Sequence, residues 1–60
     1  MEDEQHDLMK VPEVAAGLRT SKMTVYRLIK AGRLDAIRVG RGFRIRRTSF
    51  LAYKEQGGPT

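Results

Sequence analysis

Cysteine is absent from the 60 residues. The chain therefore has no disulfide framework, no thiolate metal site and no cysteine nucleophile, and a reducing compartment suits it. Long apolar runs are also absent, and so is any signal-peptide pattern. The expectation is a chain that neither spans a membrane nor leaves through one. Sixty residues hold one domain at most, with a core near the lower limit for independent folding. Acidic residues are scarce where they would matter most. The net charge is +5, but residues 1–13 carry Glu2, Asp3, Glu4, Asp7 and Glu13 against Lys10 alone, a net −4. Residues 14–54 carry eleven Lys and Arg against Asp35 alone, a net +10. A folded stretch this basic repels itself unless it faces a polyanion. Nucleic acid is the first expectation, with an anionic membrane surface and plain solubility as the competitors.

The residues of a catalytic centre are missing as well. No Ser/His/Asp set has a plausible spatial basis, no paired carboxylates lie in the foldable part, and no phosphate-loop glycine pattern occurs. His6 stands alone in the acidic segment without partners at metal-ligand spacing, and reads as a solvated side chain. No enzyme activity, cofactor or metal is expected.

Internal repeats and low-complexity segments are absent. Residues 1–7 are polar and acidic, with the composition of a disordered tail, and 56–60 end in Gly57-Gly58-Pro59-Thr60, suited to a flexible tail. The foldable part is 8–55. Leu8 to Val11 reads as a short extended lead-in. Pro12 and Glu13 then suit the first turn of a helix over 12–18, the proline because its missing N–H is not needed there and the acid because of the helix dipole. Val14, Ala15 and Leu18 give that helix one apolar face. Thr20 or Ser21 is placed to cap a second helix over 22–31, which stops at Gly32. Val25, Leu28 and Ile29 form its buried stripe. Two short helices joined by about three residues make a helix-turn-helix.

Residues 36–46 change from helical to alternating period, with Ile37, Val39, Phe43 and Ile45 apolar and Arg38, Arg44 and Arg46 between them. The alternation predicts a β-hairpin turning at Gly40-Arg41-Gly42. If Val39 opposes Phe43 and Ile37 opposes Ile45, one face is wholly apolar, which requires a three-residue loop. That register sets Arg38 opposite Arg44. Thr48 or Ser49 is placed to cap a third helix over 49–55. Met9, Phe43, Phe50 and Tyr53 are expected in the core. The fold class is thus α+β, mostly helical: three short helices and a two-stranded hairpin.

With Val25, Leu28 and Ile29 facing inward, Met23, Tyr26, Arg27 and Lys30 point outward at 100° per residue, flanked by Lys22 and Thr24. Such a face suits a DNA major groove. Thr24, Arg27, Lys30 and the Tyr26 hydroxyl would meet phosphates, and Lys22, Met23 and Tyr26 base edges. A solvated surface helix is the plainer reading. The hairpin shifts the balance. Like charges at opposed positions destabilise a sheet, and Arg38, Arg41, Arg44, Arg46 and Arg47 have no acid among them. An anion bound across them accounts for the pattern better than solvent does, and arginine is the better fit to a narrow minor groove.

These residues resemble a known family. The strings Val11-Pro12-Glu13-Val14-Ala15, Thr20 through Leu34, and Ile37-Arg38-Val39-Gly40-Arg41-Gly42-Phe43-Arg44-Ile45 are similar to the excisionase-type helix-turn-helix proteins, a small branch of the MerR-like winged-helix proteins. The similarity covers about residues 8–54, and Ser21 to Leu34 with the Gly-Phe-Arg segment is its most specific part. It implies a winged helix-turn-helix whose second helix enters the major groove while the hairpin, the wing, reaches phosphates and the minor groove beside it. By position, Ser21, Lys22, Thr24, Tyr26 and Arg27 inherit recognition-helix roles, and Arg41 and Arg44 wing roles. With the residues read directly, the expected DNA-contacting set is Ser21, Lys22, Met23, Thr24, Tyr26, Arg27 and Lys30 on the helix and Arg38, Arg41, Arg44 and Arg46 on the wing. The chain departs from the family at Arg19, where a small residue such as glycine is usual, and it carries neither the dimerising coiled coil nor the effector domain of full MerR regulators. The resemblance implies a bare DNA-binding module in a bacterial or phage cytoplasm. Its partners would be double-stranded DNA, neighbouring copies of itself on that DNA, and an integrase whose reaction it directs toward excision. A BldC-like transcriptional regulator and, in another class, a protein-interaction or packaging adaptor are the alternatives.

Overall fold

The computed structural model describes residues 7–57, in the order β1 (Leu8–Lys10), α1 (Val11–Leu18), α2 (Lys22–Lys30), β2 (Ala36–Val39), β3 (Gly42–Arg46) and α3 (Arg47–Glu55). The expectations for residues 1–6, His6 included, and for 58–60 lie outside the described residues. No helix among the described residues is long and apolar enough to cross a membrane.

α1 begins one residue earlier than its proline suggested. Lys10 is the N-cap in extended conformation, and its backbone N–H donates to Glu13 Oε1 at 2.8 Å. This is one half of a capping box; a lysine ammonium has no lone pair with which to complete the other. The helix ends at Arg19, in the left-handed region with φ 59°. The Arg19 N–H donates to Ala16 O and the Thr20 N–H to Ala15 O, the paired bonds of a Schellman closure. α2 closes in the same way. Gly32 (φ 80°) donates to Ile29 O and Arg33 to Leu28 O. One motif thus ends both helices, with glycine in the second and arginine in the first.

β3 is the central strand of a three-stranded antiparallel sheet ordered β1-β3-β2. The extended lead-in before α1 is therefore a strand, and the hairpin is not a two-stranded unit on its own. The hairpin register also differs from expectation by one residue. Val39 pairs with Gly42, Arg38 with Phe43, Ile37 with Arg44 and Ala36 with Ile45. The loop is the two residues Gly40-Arg41, with positive φ (59°) at Gly40 and not at Arg41, as in a II′ turn. Directly opposed residues share a face of the sheet. One face thus carries Met9, Ile45, Ala36, Phe43 and Arg38, and the other carries Leu8, Lys10, Ile37, Val39, Arg44 and Arg46. Val39 is 42% exposed and Ile37 half-buried, so neither belongs to the core as expected. Arg38 and Arg44 are not opposed. The like-charged neighbours across strands are Lys10 and Arg44.

The core consists of Met9, Val11, Val14, Ala15, Leu18, Val25, Leu34, Ile45, Phe50 and Tyr53, with Leu28, Ile29, Ala36 and Phe43 packed against it. Leu34, in the loop after α2, is almost fully buried and was not expected there. α3 starts at Arg47 directly after β3, with Arg46 as N-cap; neither Thr48 nor Ser49 caps it. The Ser49 hydroxyl is engaged elsewhere. It accepts the Asp35 N–H at 2.9 Å while the Arg46 N–H donates to Asp35 O, and together these bonds tie the loop before β2 to the start of α3. α1 and α3 meet at Gly17, where an added Cβ would lie 2.6 Å from Phe50 Cζ.

Candidate nucleic-acid interface

α2 presents the face its sequence suggested. Val25 is fully buried, Leu28 and Ile29 pack against the core, and Lys22, Met23, Tyr26, Arg27 and Lys30 are exposed, with Thr24 half-buried. Met23 is 59% exposed, a large apolar side chain held out of the core by the helix that carries it. The start of α2 is fixed by Ser21, whose Oγ accepts the Thr24 N–H at 3.2 Å and lies 3.1 Å from Thr24 Oγ1. Both hydroxyls are thus engaged with each other at the helix entrance; Ser21 keeps capacity for one further bond and Thr24 for two.

The hairpin contributes arginines to two different faces. Arg38 lies on the same sheet face as Phe43 and directly opposite it, with its guanidinium carbon 5.6 Å from the ring centroid. The same ring meets Tyr26 of α2 edge-on, at 6.1 Å between centroids and 65° between planes. The structure therefore brings Tyr26 and Arg38 together through Phe43. Arg41 is exposed in the turn at the hairpin tip. Arg44 is on the opposite face, beside Lys10, and donates from Nη1 to Phe43 O at 3.1 Å. Arg46, at the base of the hairpin on that second face, pairs with Asp35 at 3.2 Å between Nε and Oδ2. Both of its side chains are more than half exposed, where such a pair contributes only ~0–1 kcal/mol.

The eleven residues singled out in the sequence therefore fall into three groups. The α2 residues and Arg38 are linked through the Phe43 ring, which Tyr26 and Arg38 both contact, Arg41 is at the tip, and Arg44 and Arg46 lie on the opposite face of the sheet. Phe43, expected in the core, packs half-buried against it and also lies between helix and hairpin, a placement the expected register did not give. Reading the turn as Gly40-Arg41 would have found it, since that register sets Phe43 against Arg38. The surface contains cationic, hydroxyl and aromatic groups and, among the described residues, no cluster of His, Cys, Asp or Glu able to hold a metal ion.

Comparison with known proteins agrees with this architecture. The family model described as a helix-turn-helix domain matches residues 8–58. A protein of Mycobacterium tuberculosis strain H37Rv, named only as a candidate DNA-binding protein, is 63% identical over 38 residues, which are 63% of this chain and 49% of that protein. Its counterpart in strain CDC 1551 matches equally. The uncharacterized protein YvgK of Bacillus subtilis strain 168 is 50% identical over 44 residues, 73% of this chain and 14% of its own length. The match thus spans about half the length of the mycobacterial relatives. No solved structure matches at a significant level.

Proposed function

The chain belongs to the helix-turn-helix domain family, and from that premise we propose that it is a sequence-specific DNA-binding protein of the excisionase type, on a MerR-like winged-helix scaffold. The observation that carries the proposal is the outward face of α2, where Lys22, Met23, Tyr26, Arg27 and Lys30 stand exposed beside a hairpin that carries Arg38, Arg41, Arg44 and Arg46. The mycobacterial relatives' names support DNA as the partner.

In the proposed complex α2 lies in the major groove. Ser21 and Thr24 offer hydroxyls to the phosphate at the groove edge. Lys22, Met23 and Tyr26 meet base edges, and Arg27 and Lys30 meet the flanking phosphates. Arg38 and Arg41 extend the contact along the backbone toward the minor groove, where a narrow groove attracts arginine. Arg44 and Arg46, on the far face of the hairpin, add to the positive field and to long-range attraction more than to base reading. The role is architectural. Several copies occupy neighbouring sites and shape the DNA so that an integrase recombines it in the excisive direction.

Two steps test this reading. Enrichment of duplexes from a randomised pool should recover a shared motif of a few base pairs, and failure to enrich any motif overturns sequence-specific recognition. Where an integrase gene adjoins this one, a recombination assay with that integrase should show excision raised by the protein. Unchanged excision with intact DNA binding would transfer the reading to transcriptional regulation of the BldC-like kind.

A further inference from the structure

Among the described residues the Phe43 ring makes the one aromatic contact between α2 and the hairpin, and it engages Tyr26 and Arg38 at once. Tyr26 of α2 meets it in a T-shaped contact, and the Arg38 guanidinium lies over it from β2. We propose that Phe43 is a positioning residue: its ring fixes the Arg38 guanidinium at a set distance from the Tyr26 phenol, so that the recognition helix and the wing read DNA as one rigid unit rather than as two independent contacts. The proposal rests on the reading of α2 and the hairpin as the DNA surface and adds the device that couples them.

Three features support it. The register places Arg38 directly opposite Phe43, so the stacking is set by strand pairing and not by chance rotamers. Tyr26 and Arg38 are both exposed, so each is free to meet a ligand beyond the ring that holds it. An arginine on an exposed strand otherwise samples many rotamers, and a cation–π contact with a half-buried ring narrows them before DNA arrives. Arg44 provides an internal contrast. It lies in the same hairpin but on the other face, and it is bonded to the Phe43 carbonyl rather than stacked on the ring. Its contribution to binding should be independent of Tyr26.

The experiment is a double-mutant cycle in DNA affinity. The probe is one duplex enriched by the wild-type protein from a randomised pool, with poly(dI-dC) as the unrelated duplex. Tyr26→Ala, Arg38→Ala and the double variant are measured in the wild-type background and again with Phe43→Leu. Folding of each variant is checked by far-ultraviolet circular dichroism. In the wild-type background the two losses should be non-additive by about threefold or more. With Phe43→Leu the coupling should fall below about twofold, the range of independent sites. Phe43→Tyr, which keeps the ring, should retain the coupling. The Tyr26 and Arg44 cycle should be additive throughout. Additive losses for Tyr26 and Arg38 in the wild-type background overturn the proposal, and this arm decides even if Phe43→Leu does not fold. Coupling that survives Phe43→Leu, or equal coupling of Tyr26 to Arg44, overturns it too. If neither single variant weakens binding to the enriched duplex, the DNA reading of the surface itself fails, which is a different result from additivity.

Discussion

Arg19 adopts a backbone conformation that L side chains rarely hold, and it does so where α2 uses Gly32 for the same closure. A left-handed non-glycine residue costs about 1–2 kcal/mol; glycine removes that cost in the folded state but loses part of the gain through its freer unfolded chain. Arg19→Gly is therefore expected to stabilise the domain by ~0.5–1 kcal/mol, visible as a rise of a few degrees in the thermal midpoint. A fall in the midpoint would show that the Arg19 side chain contributes more to the fold than its backbone costs. Gly17 gives the opposite result. Alanine is the better helix former by roughly 0.5–1 kcal/mol, yet its Cβ would stand within 3 Å of two atoms of the Phe50 ring. Gly17→Ala should destabilise by ~1–3 kcal/mol as the ring or the helix shifts. Chemical denaturation of both variants checks the pair, and a stabilised Gly17→Ala would mean that α1 and α3 pack less closely than described.

At the scale of elements, α1 and α2 were legible because independent signals coincided. Pro12 and Glu13 mark one entrance, Ser21 the next, Gly32 an exit, and the apolar spacing agrees with all of them. The hairpin was legible as an element but not in register. Gly40 and Gly42 can each supply a turn, and Val39 offered an apolar face that the fold leaves exposed. The register is tied to tertiary packing: Ile45, fully buried at the centre of the sheet, is flanked by Met9 and Ala36, which both pack in or against the core. The start of α3 was misread for a similar reason, because Ser49 bonds to Asp35, fourteen residues away, and no local pattern announces that. Leu34 had no periodic partners in its loop, so nothing in the sequence marked it as core. The α2 face followed directly from helical period, whereas the bridge through Phe43 followed only once the register was known. The register has its own test. Val39→Thr should change stability by less than about 0.5 kcal/mol, while Ile45→Ala should cost ~2–5 kcal/mol, enough to unfold much of so small a domain. Comparable losses at the two positions would restore the three-residue loop.

At the scale of the whole molecule, charge separation dominates. Residues 14–54 concentrate a net +10 on a chain of 60 residues, and a single helix with one wing covers only a few base pairs. One copy should bind a lone site weakly, and neighbouring copies should assist one another. Titration against one, two and three tandem sites should show affinity per site rising with site number, and equal affinity per site would reject cooperative occupation. The central claim is that this basic surface is a DNA interface. The most direct measurement of it is the affinity of the full chain for a fluorescent duplex across a series of salt concentrations. Neutralising about six phosphates predicts that log K falls against log salt with a slope of roughly −5. A slope near zero would contradict the account.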